Sequence, residues 1–440
     1  MKLCKTIFII TTAIVFAACT PKFNEPDLST GSINASDYLA IGGSMTAGYS
    51  DGALYDEGQR NSYANLLATQ LKNLGVGATI FKIPYAQSSI GMGNANNARS
   101  ILGNRTDCQN VVSLGPVKIA SQGDINVFSN NVYNSQGPFH NFGVPDLKSI
   151  EIDINGYSNP FYQRMASSGT SSVLYDAISR NPTFFSLNLG LHDVLKYALK
   201  GGASDNITPV SGPIGFGFEA SINNVIEKLT ANGAKGVIAN IPSIKSMAYF
   251  NTIAWNALKL DSLTAANLNL YYGALSAPFS FSVGNNGFII QDTSQFLGFR
   301  QAQEDEFILL NVPLDSVKCY KWGSLIPIPD RYVLTASEIN NIENAINDYN
   351  TVLKNISETK GLAYVDVHSL FNKVKNGFIY NGVTINASFV SGGFYSLDGL
   401  NLTPRGNAFL ANEFIKSIND KYHAIIPQLD AMKYPGVIFP

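Results

Sequence analysis

Short apolar runs recur along the chain, and each stops at a glycine or a polar cluster. Tyr38–Gly42, Thr79–Ile83, Thr183–Leu189, Gly236–Pro242 and Leu362–Val367 have the length and side-chain content of buried strands. Between them lie stretches of helical period. Asn61–Leu74 carries Leu66, Leu67, Leu71 and Leu74 on one face, Phe218–Ala231 and Thr335–Lys360 repeat the pattern, and Thr403-Pro404 opens a last helix running to Lys421. Strands alternating with helices predict an α/β fold with a mostly parallel sheet and right-handed crossovers.

Two stretches depart from this alternation. Residues 86–140 are rich in Gly, Asn and Ser and read as an irregular surface insertion. Residues 247–335 mix aromatic, Gly and Pro residues and read as a second insertion. No internal repeat is evident.

The first strand ends at Gly42-Gly43-Ser44-Met45-Thr46-Ala47-Gly48, which holds a hydroxyl on a rigid element beside glycines that leave backbone N–H groups accessible. A serine becomes a nucleophile only with a base for its proton and donors for the developing oxyanion.

Composition narrows the partners. Charged residues make up 14% of 440 residues and the net charge is −2, with no basic run, which argues against nucleic acid. The four histidines (His140, His192, His368, His423) are scattered and no cysteine sits in a ligand spacing, so neither a metal nor a cofactor is indicated. His140 and His368 read as structural, and His423, in the last helix region, has no evident role.

The N-terminus reads as a targeting segment: Lys2 and Lys5, an apolar stretch Ile7–Phe16, then Val15-Phe16-Ala17-Ala18-Cys19. The last five residues resemble a bacterial lipobox, which implies a signal peptide over 1–18, lipidation of Cys19 and a flexible tether over 19–36. The expected location is the bacterial cell envelope, as an outer-membrane lipoprotein on its periplasmic or surface face. With Cys4 removed and Cys19 lipidated, Cys108 and Cys319 remain, either paired or free.

Within one domain over residues 37–440, the blocks across most of 37–425, outside the insertions, resemble the SGNH or GDSL hydrolase superfamily. Gly42-Gly43-Ser44-Met45 matches its first block, with Ser44 as nucleophile and Gly43 where the family has aspartate. Asn141-Phe142-Gly143-Val144-Pro145-Asp146 matches the second, with Asp146 at the glycine whose N–H joins the oxyanion hole. Gly190-Leu191-His192-Asp193 matches the third, with His192 replacing the asparagine donor. Asp398-Gly399-Leu400-Asn401 matches the last, with Asp398 as the orienting acid and Asn401 in place of the general base. Pro404–Ile415 supports that register, and the ending Tyr434–Pro440 is similar to lipoproteins of this superfamily from Bacteroidetes.

The resemblance implies a three-layer flavodoxin-like fold and hydrolysis of an acyl or acetyl ester. Its catalytic set is Ser44, Asp398 and Asn401, and its oxyanion hole is Ser44, Asp146 and His192. A carboxamide accepts no proton near neutral pH, so Asn401 predicts weakened turnover unless His192 serves as substitute base. The alternative is an inactive member of the same fold that binds a glycan, a lipid or a protein partner.

Overall fold

A computed structural model describes residues 27–75, 80–92, 97–125 and 130–440. The expected signal peptide, Cys19 and the first part of the tether lie outside these residues, as does Thr79.

The centre is a five-stranded sheet of β1 (Tyr38–Gly42), β2 (Asn141–Gly143), β3 (Phe184–Asn188), β4 (Lys235–Ala239) and β5 (Ala363–Val365). All four pairings are parallel and the order is β5-β4-β3-β1-β2, the 2-1-3-4-5 order of one class of doubly wound sheets. Every residue of β1 is buried, as a parallel strand covered on both faces requires. The order reverses between β1 and β3, which opens a crevice at their carboxyl ends, and Ser44 follows β1 there.

Among the helices are α1 (Tyr63–Asn73), α2 (His192–Ala198), α3 (Phe218–Thr230), α4 (Ser262–Ala274), α5 (Leu314–Cys319), α6 (Ala336–Thr359), α7 (Val367–Asn376) and α8 (Pro404–Tyr422). Their starts follow from side-chain caps: Ser62 accepts from Asn65 N–H, Thr335 and Glu338 form a capping box, and Thr403 accepts from Gly406 N–H ahead of Pro404. Two groups flank the sheet. Tyr63 of α1 stacks on Phe414 of α8 at 4.6 Å, and Phe218 of α3 stacks on Tyr349 of α6 at 4.1 Å.

Three expectations change. Residues 86–140 are not wholly irregular: Ser100–Thr106 and Val112–Lys118 form an antiparallel hairpin seven pairs long. Gly103 faces Gly115 and Leu102 faces Pro116, so residues that ordinarily interrupt strands sit inside this one. Ile80–Ile83 forms no strand, because the Lys82 N–H donates to His140 Nδ1 at 3.0 Å rather than to a ladder carbonyl. The end of the tether is docked rather than free. Ser29 and Ile425 exchange backbone hydrogen bonds, Ser32 N–H donates to Tyr422 O at 2.9 Å, and Ile33 and Ala35 are buried.

The second insertion has its own small core, with Phe288, Ile290, Ile308 and Ile328 packed together. Cys108 and Cys319 are disulfide-bonded with Cα atoms 6.5 Å apart, joining the hairpin turn of the first insertion to α5 of the second. Arg105–Asp315 at 3.4 Å and Lys318–Asp107 reinforce the joint. Among the described residues no helix is long and apolar enough to cross a membrane.

Candidate active site

Ser44 opens a one-turn helix, Ser44–Ala47, directly after β1. Gly43 precedes it, its N–H donating to Asn188 O at 3.2 Å, so the end of β1 is held against the end of β3. The serine is 6% exposed and lines a cavity of about 210 Å³ together with Gly43, Asp146, His192, Asp398 and Asn401. All of the candidate site residues named from the sequence within the described chain therefore meet in one place.

Their contacts divide into two clusters. In the first, Ser44 Oγ lies 3.2 Å from His192 Nε2. His192 is the first residue of α2, whose start is anchored by its neighbour: buried Asp193 accepts from Ser149 N–H at 2.8 Å and from Ser149 Oγ–H at 2.7 Å. Burial raises the Asp193 carboxyl to about 6, and the two Ser149 bonds pull against that rise. Burial also lowers the pKa of His192 below its ordinary value, with the nearby Asp146 carboxylate acting in the opposite direction. A neutral imidazole with one nitrogen facing a serine hydroxyl is the form that accepts a proton.

Asp146 joins this cluster twice. Its N–H points at Ser44 Oγ from 3.5 Å, and its Oδ1 lies 3.5 Å from His192 Nε2. Its φ is +63°, the left-handed region that favours glycine. Holding an aspartate there costs on the order of 1 kcal/mol. Backbone strain of this kind at a site is consistent with a functional constraint. Asn159 braces the turn by donating from Nδ2 to Pro145 O at 2.8 Å.

The second cluster is closed on itself. Asp398 Oδ1 accepts from Ser396 Oγ–H at 3.0 Å, Leu400 N–H at 2.9 Å and Asn401 N–H at 2.8 Å. Its Oδ2 accepts from Gly52 N–H at 3.1 Å and from Asn401 Nδ2 at 2.9 Å. The carboxylate thus ties its own loop to the loop after Ser44, and the Asn401 amide is directed at the acid.

The partner relation of Gly43 and His192 escapes the sequence. A Cβ on residue 43 would lie 3.0 Å from His192 Nδ1 and 3.3 Å from its Cε1, so the imidazole occupies the space that a side chain at 43 would need. The helix α2 also went unread, because seven residues are too few for a period to register; yet His192, Leu195 and Leu199 stand at i, i+3 and i+7, the spacing of one helical face. The remaining histidines are engaged elsewhere: His140 with Lys82 and Arg180, His368 with Ile241 O, and His423 as the left-handed residue ending α8. Among the described residues no group of three His, Cys, Asp or Glu side chains is arranged to hold a metal ion.

No family model, no curated protein and no solved structure matches the chain.

Proposed function

We propose that this chain is a serine ester hydrolase of the SGNH or GDSL type in which His192, rather than the residue at position 401, is the base. The observation that carries the reading is the 3.2 Å approach of His192 Nε2 to Ser44 Oγ in a cavity at the carboxyl ends of parallel strands.

In the first step Ser44 Oγ attacks the ester carbonyl carbon while His192 Nε2 takes the hydroxyl proton. The carbonyl oxygen becomes an oxyanion, for which the Asp146 N–H, 3.5 Å from Ser44 Oγ, is a backbone donor. Collapse breaks the bond to the alcohol oxygen, and His192 returns the proton to that leaving group. Water, deprotonated by the same nitrogen, then attacks the acyl-serine, and collapse releases the acid as His192 returns that proton to Ser44 Oγ. The Asp146 carboxylate stabilises the imidazolium at both stages. A positioned general base supplies roughly 10²–10⁴-fold.

The test is hydrolysis of uncharged p-nitrophenyl esters by the native chain, Ser44→Ala and His192→Gln. The proposal expects both variants to lose at least roughly 10²-fold in turnover and is refuted if either keeps native turnover. A second reading, a binding protein without turnover, is favoured by the closed Asp398–Asn401 pair. It expects no Ser44-dependent hydrolysis, with a lipid, glycan or protein held in the same cavity.

We also propose that lipidated Cys19 holds the protein at the bacterial envelope, in the outer membrane. Incorporation of a labelled fatty acid that is lost in Cys19→Ala supports this; equal labelling of both proteins defeats it.

A further inference from the structure

The cavity beside Ser44 is lined by the Asp146 and Asp398 carboxylates and, among the described residues, by no Lys or Arg. Five leucines also line it, and two of them, Leu195 within α2 and Leu199 at its C-cap, follow His192 at three and seven residues, so they form a strip along one helical face. Leu147 and Leu400 line the same cavity. Leu199 is half-buried and packs against the main core, so the strip is a fixed surface.

We infer that this leucine face is an acyl-binding groove, and that the ester taken by the site carries an uncharged, unbranched acyl chain of medium length. The inference rests on the Ser44–His192 reading above and adds the identity of the acyl group.

Length follows from the helix. Seven residues separate His192 from Leu199, a rise of roughly 10 Å at 1.5 Å per residue. The cavity volume of about 210 Å³ points the same way. That is roughly seven times the ~30 Å³ that a water molecule occupies in the liquid, which suits a chain of roughly four to eight carbons better than an acetyl group. Charge follows from the lining. A carboxylate on the distal end of the acyl chain would lose its hydration among leucines with no cation to meet it, and an anionic group nearer the ester would face Asp146. Each methylene buried along the strip favours the transition state by roughly fourfold, until the strip is filled.

The experiment measures kcat/KM of the full-length protein on p-nitrophenyl esters with two, four, six, eight and twelve acyl carbons, for the native chain, Leu199→Trp and Leu199→Phe. The native profile should climb by roughly fourfold per methylene, peak at six to eight carbons and fall at twelve. Filling the far end with either aromatic ring should shift the peak down by two carbons or more; should the tryptophan variant fail to fold, the phenylalanine variant carries the comparison. A native profile that peaks at acetate, or identical profiles in native and variant proteins, overturns the inference. Calorimetry of octanamide and acetamide against Ser44→Ala, with and without the Leu199 substitution, separates this proposal from the one beneath it. If the native chain hydrolyses no ester yet octanamide binds and the Leu199 substitution abolishes that binding, the groove stands and the Ser44–His192 reading falls. If octanamide does not bind, the groove falls.

Discussion

Placing a methyl group on Gly43 tests the spatial bargain between that residue and His192. Gly43 has φ −91° and ψ −147°, outside the left-handed region, so alanine meets no positive-φ strain there. The new Cβ would lie 3.0 Å from His192 Nδ1, and relief to ordinary van der Waals contact needs a shift of a few tenths of an ångström. The Ser44–His192 contact is already 3.2 Å, so a shift of that size along it brings it to the limit of a hydrogen bond. Misplacing a catalytic group by about 1 Å can cost about 10²-fold, and a smaller shift should cost roughly tenfold. Gly43→Ala should therefore lower kcat on p-nitrophenyl hexanoate by about tenfold and leave KM within about twofold, while the urea unfolding midpoint changes little, because replacing a glycine also stiffens the unfolded chain by up to about 1 kcal/mol. Gly43→Asp, with a larger side chain and a charge, should remove activity. Native kcat in both variants, in a protein that His192→Gln inactivates, would refute the steric argument.

Other outcomes follow from the same geometry. Asp146→Asn removes a carboxylate 3.5 Å from His192 Nε2, worth about 1 kcal/mol at the dielectric constant of water for a largely exposed side chain, so kcat should fall about fivefold. Because that carboxylate raises the His192 pKa, the acid limb of kcat/KM should move to lower pH in the variant; a limb that moves up contradicts the assignment. His140 is held neutral by burial and by the Arg180 guanidinium, with its pKa lowered to about 4, so its contribution to stability is complete above the ordinary histidine value and is lost as pH falls from about 6.5 toward 4. The loss is on the order of 3 kcal/mol, and His140→Gln should flatten the decline of the urea midpoint over that window. Cys108–Cys319 closes a loop across a separation of 211 residues, and replacing both cysteines with serine should lower unfolding free energy by about 2–4 kcal/mol, read from urea curves with and without reductant.

Much of the scaffold was legible because strong local signals agreed with the tertiary structure. The runs around Leu39, Phe185 and Ile238 became β1, β3 and β4, and the caps at Ser62, Thr335 and Thr403 fixed helix starts within a residue or two. The first hairpin was hidden because Gly103, Gly115 and Pro116 ordinarily mark breaks. The docked segment before β1 was hidden because its apolar content is only Ile33 and Ala35 among polar residues. The pairing of Cys108 with Cys319 depends on two insertions meeting, and no local pattern reports that.

At the site, the resemblance to the SGNH blocks pointed to Ser44, Asp146, His192, Asp398 and Asn401, and the fold gathers them. Their division of labour was beyond the sequence. That Asn401 is bound to Asp398 while His192 faces Ser44 is a matter of which way side chains turn at the ends of different strands. The left-handed backbone of Asp146 and the room that Gly43 leaves for an imidazole are likewise properties of packing across the crevice.

The central claim is that His192 activates Ser44, and covalent labelling reads it without knowledge of the natural substrate. A fluorophosphonate bearing a six-carbon chain, followed by mass spectrometry of the intact protein and its peptides, should modify Ser44 in the native chain at a rate that rises with deprotonation of His192. Labelling should be lost in His192→Gln and kept in Asn401→Ala. Labelling of His192→Gln at the native rate, or no labelling of Ser44 in the folded native protein, would contradict it.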